Sequence, residues 1–113
     1  MESRATARYV KMAPRKVRVV ADLVRGKNVG EAIQLLAFTH RAAAIPIKKL
    51  VESAIANAKQ ASAAIDVDSL FIKTLTVDMG PQSHMRRWRT RAMGRATRIV
   101  KGMSHINVVL AVR

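Results

Sequence analysis

The apolar and polar positions divide the chain into extended and helical stretches. Residues 4–11, RATARYVK, alternate Ala5, Ala7 and Tyr9 with Arg4, Thr6 and Arg8, which predicts an edge strand with one basic face. Pro14 suits the first turn of a helix, where a missing N–H costs nothing, and Gly26 suits its end. The helix predicted over 14–25 carries an apolar stripe of Val17, Val20, Ala21 and Val24. A second stripe, Arg15, Arg18, Asp22 and Arg25, lies elsewhere on its surface, with Arg18 and Asp22 placed as an i,i+4 pair. Asn28 followed by Glu31 predicts a cap and its reciprocal partner, opening a short helix to Phe38 with Ala32, Leu35 and Leu36 facing inward. Thr39 is placed to cap a third helix reaching Ala61. There Ile47, Leu50, Val51, Ala54, Ile55 and Ala58 form one apolar face. If that helix begins near His40, Pro46 lies inside it and kinks it. Residues 69–78 are β-branched and apolar enough for a strand. Residues 105–112 alternate cleanly, with Ile106, Val108, Leu110 and Val112 on one face.

A chain of 113 residues has room for a single domain over 1–113 with one modest core. Aromatics make up only 4%, so Ala, Val, Ile and Leu must build that core. The absence of cysteine removes disulfides and cysteine zinc sites, and fits a reducing compartment. No apolar run approaches the roughly 18–20 residues of a membrane span. Glu2 stands where a signal peptide would begin basic, so a soluble, untargeted chain without a membrane partner is expected.

The net charge is +14, and its distribution matters more than its size. In residues 1–27 eight bases (Arg4, Arg8, Lys11, Arg15, Lys16, Arg18, Arg25, Lys27) face only Glu2 and Asp22. Residues 28–78 balance five bases against five acids. Residues 79–113 hold eight bases and no acid. A surface meant only for solvation mixes the signs. This partition points instead to polyanion-binding surfaces attached to a neutral scaffold.

The segment 79–103, MGPQSHMRRWRTRAMGRATRIVKGM, carries seven bases, no acid and one Trp between two predicted strands. A connection of about 25 residues far exceeds the usual 2–6. Three readings compete: a disordered basic loop, a basic helix, and an extension of both strands into a hairpin. With Asp78 and Ser104 at its base, the hairpin turns near Arg91, close to Gly94. Arms of about 12 residues at roughly 3.3 Å each project about 40 Å. A two-stranded ribbon of that length is marginal in water, so its order must come from a partner. Guanidinium forks match phosphate oxygens and stack on bases, and Trp88 between Arg87 and Arg89 adds a stacking surface. The helical reading needs an apolar face. Met85, Trp88 and Ala92 begin one, but Arg89 and Ala96 dilute it.

Other chemistry is thin. His40, His84 and His105 have no second ligand at metal spacing, so neither metal nor cofactor is expected. Asp66 and Asp68 flank a turn as solvated carboxylates rather than a catalytic pair. Ser53, Ser62 and Ser104 have no base beside them, and no Gly-rich phosphate loop exists. No enzyme is expected. The methionines Met79, Met85, Met93 and Met103 are available as adaptable contacts, with Met12 assigned to packing. Arg15, Arg18 and Arg25 are either a solvated helix face or, together with Arg4 and Arg8, an RNA-facing surface.

Several stretches together resemble one family. PRKVRVVADLVRG (14–26), VESAIANA (51–58), VDMGP (77–81), RTRAMGRATRI (89–99) and SHINVVL (104–110) are similar, in order, to the universal large-subunit ribosomal protein twenty-two family. The likeness is collinear over essentially the whole chain. It implies an α+β fold of three helices packed on a small antiparallel sheet, with a long protruding β-hairpin, 79–103, threading the large-subunit rRNA toward the peptide exit tunnel. It implies roles in early subunit assembly and in a narrow part of the tunnel wall, where alterations are associated with macrolide resistance. The expected partners are that rRNA, neighbouring large-subunit proteins at the tunnel and the nascent peptide, with no homo-oligomer. The expected location is the ribosome of the cytoplasm or of an organelle. Carried over by motif, and joined to the basic residues read above, the RNA-binding set is Arg4, Arg8, Arg15, Lys16, Arg18, Arg25, Arg86, Arg87, Arg89, Arg91, Arg95, Arg98 and Lys101. The tunnel tip is Met85, Trp88, Arg89, Thr90, Arg91, Ala92 and Met93. Departures from the family's pattern are Met79 in place of an acid, Thr90 in place of a Pro, a stretch at 82–85 about two residues longer than usual, and Pro46. The alternative is a free-standing nucleic-acid-binding protein, an RNA chaperone or DNA-compacting module, which predicts sequence-blind binding of duplex DNA.

Overall fold

The clean alternation near the C-terminus becomes the centre of a three-stranded antiparallel sheet. The computed structural model describes residues 2–80, 86–90, 92–94, 96–100 and 102–112, and for 86–90, 92 and 96–100 the description is of the backbone. In chain order the elements are β1 (Glu2–Val10), α1 (Pro14–Val24), α2 (Val29–Phe38), α3 (Ala44–Ala61), a 3₁₀ turn (Val67–Ser69), β2 (Leu70–Met79), β3 (Arg86–Thr90), a second 3₁₀ turn (Ala92–Gly94), β4 (Ala96–Val100) and β5 (Ser104–Val112). The strand order is β1-β5-β2, and β3 and β4 form a second sheet of their own.

β5 pairs on both sides. Ala5 and Leu75 both stand opposite Val108, and Ala7 and Val77 both stand opposite Ile106. One face of the sheet lies under the helices, where Ala5, Ile72, Leu75, Ile106, Val108 and Leu110 meet the buried stripes of α1 and α3. Those stripes are the ones read from the sequence: Val17, Val20, Ala21 and Val24, then Ile47, Leu50, Val51, Ala54, Ile55 and Ala58. α3 packs on β1 and β5, α1 on β2, and α2 on α3. The expected α+β architecture of three helices on a small antiparallel sheet therefore holds.

Four local expectations are corrected. α3 starts at Ala44, so Pro46 sits in its first turn, where no intrahelical N–H bond is lost, and imposes no kink. Thr39 closes α2 instead of opening α3, its hydroxyl donating to the Leu35 carbonyl at 2.6 Å. Asn28 stands at the N-cap of α2, but its side chain makes no capping bond. Lys27 and Asn28 are drawn sideways onto β2, with Ile72 N–H donating to Lys27 O at 2.9 Å and Asn28 bridging Phe71. Leu35 and Val112, expected inside, are 38% and 41% exposed.

β3 and β4 pair from Arg86↔Val100 to Thr90↔Ala96. The basic-helix reading of 85–101 is thereby excluded for the strand residues. The body ladder ends at Met79↔Ser104, with Gly80 N–H donating to Met103 O at 2.7 Å. Five residues (81–85) then separate Gly80 from Arg86, but only two (101 and 102) separate Val100 from Met103. That inequality moves the apex from the expected Arg91 to Met93, which with Gly94 adopts positive φ, 63° and 74°. The overall extents are 66 × 26 × 15 Å. A protein of this length packed as a sphere has a radius of gyration of only about 13 Å.

Candidate nucleic-acid interface

Two groups of cations make up the candidate surface, one on the body and one on the ribbon. On the body Arg4, Arg8, Arg15, Lys16, Arg18 and Arg25 are all exposed. Arg4 and Arg8 lie on the sheet face that no helix covers, because β1 alternates and sends Ser3 and Ala5 inward. They are held there from the other side. Ser3 Oγ donates to Ala54 O at 2.7 Å and Asn57 Nδ2 donates to Arg4 O at 2.9 Å, so α3 fastens β1 along its outer edge.

The arginine stripe of α1 divides into two parts. Arg18 closes its guanidinium on the Val77 carbonyl, Nε at 3.2 Å and Nη2 at 2.9 Å. Arg25 does the same to the Leu75 carbonyl, at 3.1 and 2.8 Å, and its remaining arm pairs with Asp22. The expected Arg18–Asp22 pair is therefore replaced by Arg25–Asp22 at i,i+3. β2 is an edge strand, and its alternate carbonyls would otherwise be a template for another strand. Both arginines thus serve the fold with part of their donor set. The hollow they line also contains Asp22 and Asp78, which offset their charge. Among the described residues Arg15 and Lys16 meet no backbone carbonyl or carboxylate, which leaves them as the outward cations of α1.

Lys16 shares a second hollow with Lys11, Met12, Ala13, Ala42 and Gly102, at the N-terminal end of α1 and beside the ribbon's return strand. Two ammonium groups there add to the positive end of the helix. Lys11 is absent from the RNA-binding set expected from the sequence. Its only signal was membership of the N-terminal basic block.

On the ribbon, Arg86, Arg87 and Arg89 lie on β3 and Arg98 on β4, with Trp88 opposite Arg98 in the register. Thr90 stands at the apex end of β3. Ala92 and Met93 are in the turn, and Met93 is 95% exposed. Trp88 and Arg89 are mid-strand. Met85, Arg91, Arg95 and Lys101 lie outside the described residues. Among the described residues no cluster of three metal-ligating side chains occurs, and no helix is long and apolar enough to cross a membrane.

Residues 5–111 match the family model described as Ribosomal protein L22p/L17e. The chain belongs to that family. Within the L22p/L17e family it is similar to the protein named "Large ribosomal subunit protein uL22" of Sorangium cellulosum, 58% identical over 106 residues, 94% of this chain and 93% of that relative. The protein of the same name from Myxococcus xanthus is 53% identical over 112 residues, 98% of this chain and 96% of its own length. The one from Syntrophobacter fumaroxidans is 50% identical over 111 residues, 98% of each chain. The family resemblance drawn from the five sequence motifs therefore holds across nearly the whole L22p/L17e domain.

Proposed function

We propose that this chain is a structural constituent of the large ribosomal subunit. It binds and organises the large-subunit rRNA during assembly, and its ribbon lines the nascent-peptide exit tunnel. The observation that carries this reading is the β3–β4 ribbon, a two-stranded sheet whose sequence is rich in arginine and free of acid. Such a ribbon gains little stability from its own short ladder. Phosphates supply what it lacks, since each guanidinium presents a planar fork of donors to two oxygens at once. Lys11 and Lys16 extend the same attraction to the ribbon's root, and Arg4 and Arg8 extend it to the open sheet face. Met93 at the apex offers an adaptable apolar contact to neighbouring proteins or to a passing peptide.

The primary test is co-sedimentation of the tagged chain with purified large subunits through a high-salt cushion. Stoichiometric recovery is expected. Absence from the subunit, combined with tight sequence-blind binding of duplex DNA, would establish the free-standing module instead. Shortening residues 82–90 is expected to change macrolide response while incorporation persists. Unchanged drug response across several such deletions would remove the tunnel placement.

A further inference from the structure

One helix touches the chain on both sides of the ribbon's root, at β2 before it and at Gly102 after it. Where β2 leaves the body, Arg18 of α1 grips the Val77 carbonyl with Nε and Nη2, two residues before the strand ends at Met79. Where the return strand re-enters, Gly102 lies against the start of the same helix. A Cβ built on Gly102 would stand 3.2 Å from Ala13 Cα and 3.3 Å from Pro14 Cδ. Gly102 therefore matters for closeness rather than for an unusual backbone angle, since an added Cβ would make Ala13 or Pro14 give way by a few tenths of an ångström. Between these points Gly80 N–H bonds Met103 O at 2.7 Å, and the Ser104 hydroxyl bonds Met12 O, also at 2.7 Å.

We infer that α1 is a bracket that sets the direction of the ribbon relative to the body, with Arg18 and Gly102 as its two positioning residues. Both contacts come from a helix whose own stripe, Val17, Val20, Ala21 and Val24, is completely buried. The bracket is thus anchored in the core and cannot follow the ribbon. Leverage makes small errors at the root costly. An arm of about 40 Å that swings by about 5° moves its tip by about 3.5 Å. Arg18 accordingly acts through the Val77 carbonyl, and its charge is secondary. A lysine keeps the charge but presents a compact ammonium in place of the planar fork. The inference goes beyond the rRNA reading and is tested on the isolated chain, so either one survives the failure of the other.

The chain has no cysteine, so two spin labels can be introduced cleanly through Glu52→Cys on α3 and Met93→Cys at the apex. The label-to-label distance is then compared in the parent, Arg18→Lys, Gly102→Ala and Arg15→Lys, each first shown to melt cooperatively. Arg18→Lys and Gly102→Ala are expected to shift the mean distance, or widen its distribution, by about 3 Å or more, following the leverage above. Arg15→Lys, which alters the same stripe away from β2, is expected to superimpose on the parent. Superposition of both Arg18→Lys and Gly102→Ala on the parent overturns the bracket. So does an equal shift in Arg15→Lys, which would trace the effect to the stripe as a whole. If Arg18→Lys does not melt cooperatively, the Gly102→Ala distribution decides alone, because its contact with Ala13 and Pro14 is independent of the guanidinium.

Discussion

The backbone N–H of Tyr9 donates to Nδ1 of His105 at 3.1 Å, and the two rings meet edge to face with centroids 5.0 Å apart. Tyr9 has a φ of 57° at the point where the β1–β5 register shifts, a conformation that side chains other than glycine adopt at a cost. The histidine stabilises that bulge by accepting a hydrogen bond from the Tyr9 N–H. Nδ1 as acceptor requires the ring proton to sit on Nε2. Long-range proton–nitrogen correlation is expected to show that tautomer. His105→Phe, which keeps a ring but no acceptor, is expected to cost about 1 kcal/mol and to speed exchange of the Tyr9 amide. The opposite tautomer in solution would refute this arrangement.

Arg25 seals β2 at Leu75 with a side chain that is 44% exposed, so its contribution is screened by solvent. Arg25→Ala is expected to lower stability by about 1 kcal/mol, discounted from the 1.5–3 typical of charged hydrogen bonds. Arg25→Lys should recover less than half of the loss, because the fork and not the charge closes the edge. Thermal unfolding measures both, at a drop of several degrees for the alanine variant. Full recovery by lysine would assign Arg25 an electrostatic role only.

Glu2 lies at the end of β1, where Lys73 reaches across the sheet to pair with it from the bulge between Ile72 and Thr74 in β2. The hydrogen bond from Lys73, then its charge, holds the Glu2 carboxyl below its ordinary 4.5. A carboxyl lowered in the folded state binds fewer protons than in the unfolded one, so it stabilises above pH 4.5 and loses that contribution as pH falls through the folded value. Glu2→Gln is expected to flatten the acid limb of a stability–pH curve slightly and to leave stability nearly unchanged at pH 7, since the pair is solvent-exposed. A larger difference at pH 7 than is lost on acidification would contradict this sign.

If the ribbon meets phosphate as proposed, Arg87→Gln and Arg89→Gln should each reduce the slope of log affinity against log salt for an rRNA fragment by about 1. The body's melting temperature is expected to stay the same, because β3 and β4 form a sheet apart from it. Arg18→Gln should do the reverse, destabilising the body with little effect on the slope. Filter binding at several salt concentrations measures the first effect and calorimetry the second. A steeper loss of slope from Arg18 than from Arg87 would return the α1 stripe to the RNA surface.

Hydrophobic periodicity alone specified the helices and strands whose residues point to a single core. The stripes of α1 and α3, and the alternation of β5 through Ile106, Val108 and Leu110, are buried as read, because burial requires only that one side of an element be apolar. The acid-free composition of 79–113 likewise marked the candidate polyanion surface before any fold was known, since net charge does not depend on conformation. What tertiary structure decided were the partners of polar groups. Arg18 and Arg25 sit at the same helical spacing whether they face water, phosphate or a strand edge, and only the approach of β2 assigned them the Val77 and Leu75 carbonyls. Asn28 gave up its cap, and the ribbon turned at Met93 instead of Arg91, for the same reason. Hydrogen bonds and register are settled between segments far apart in the chain, and spacing within one segment carries no information about them.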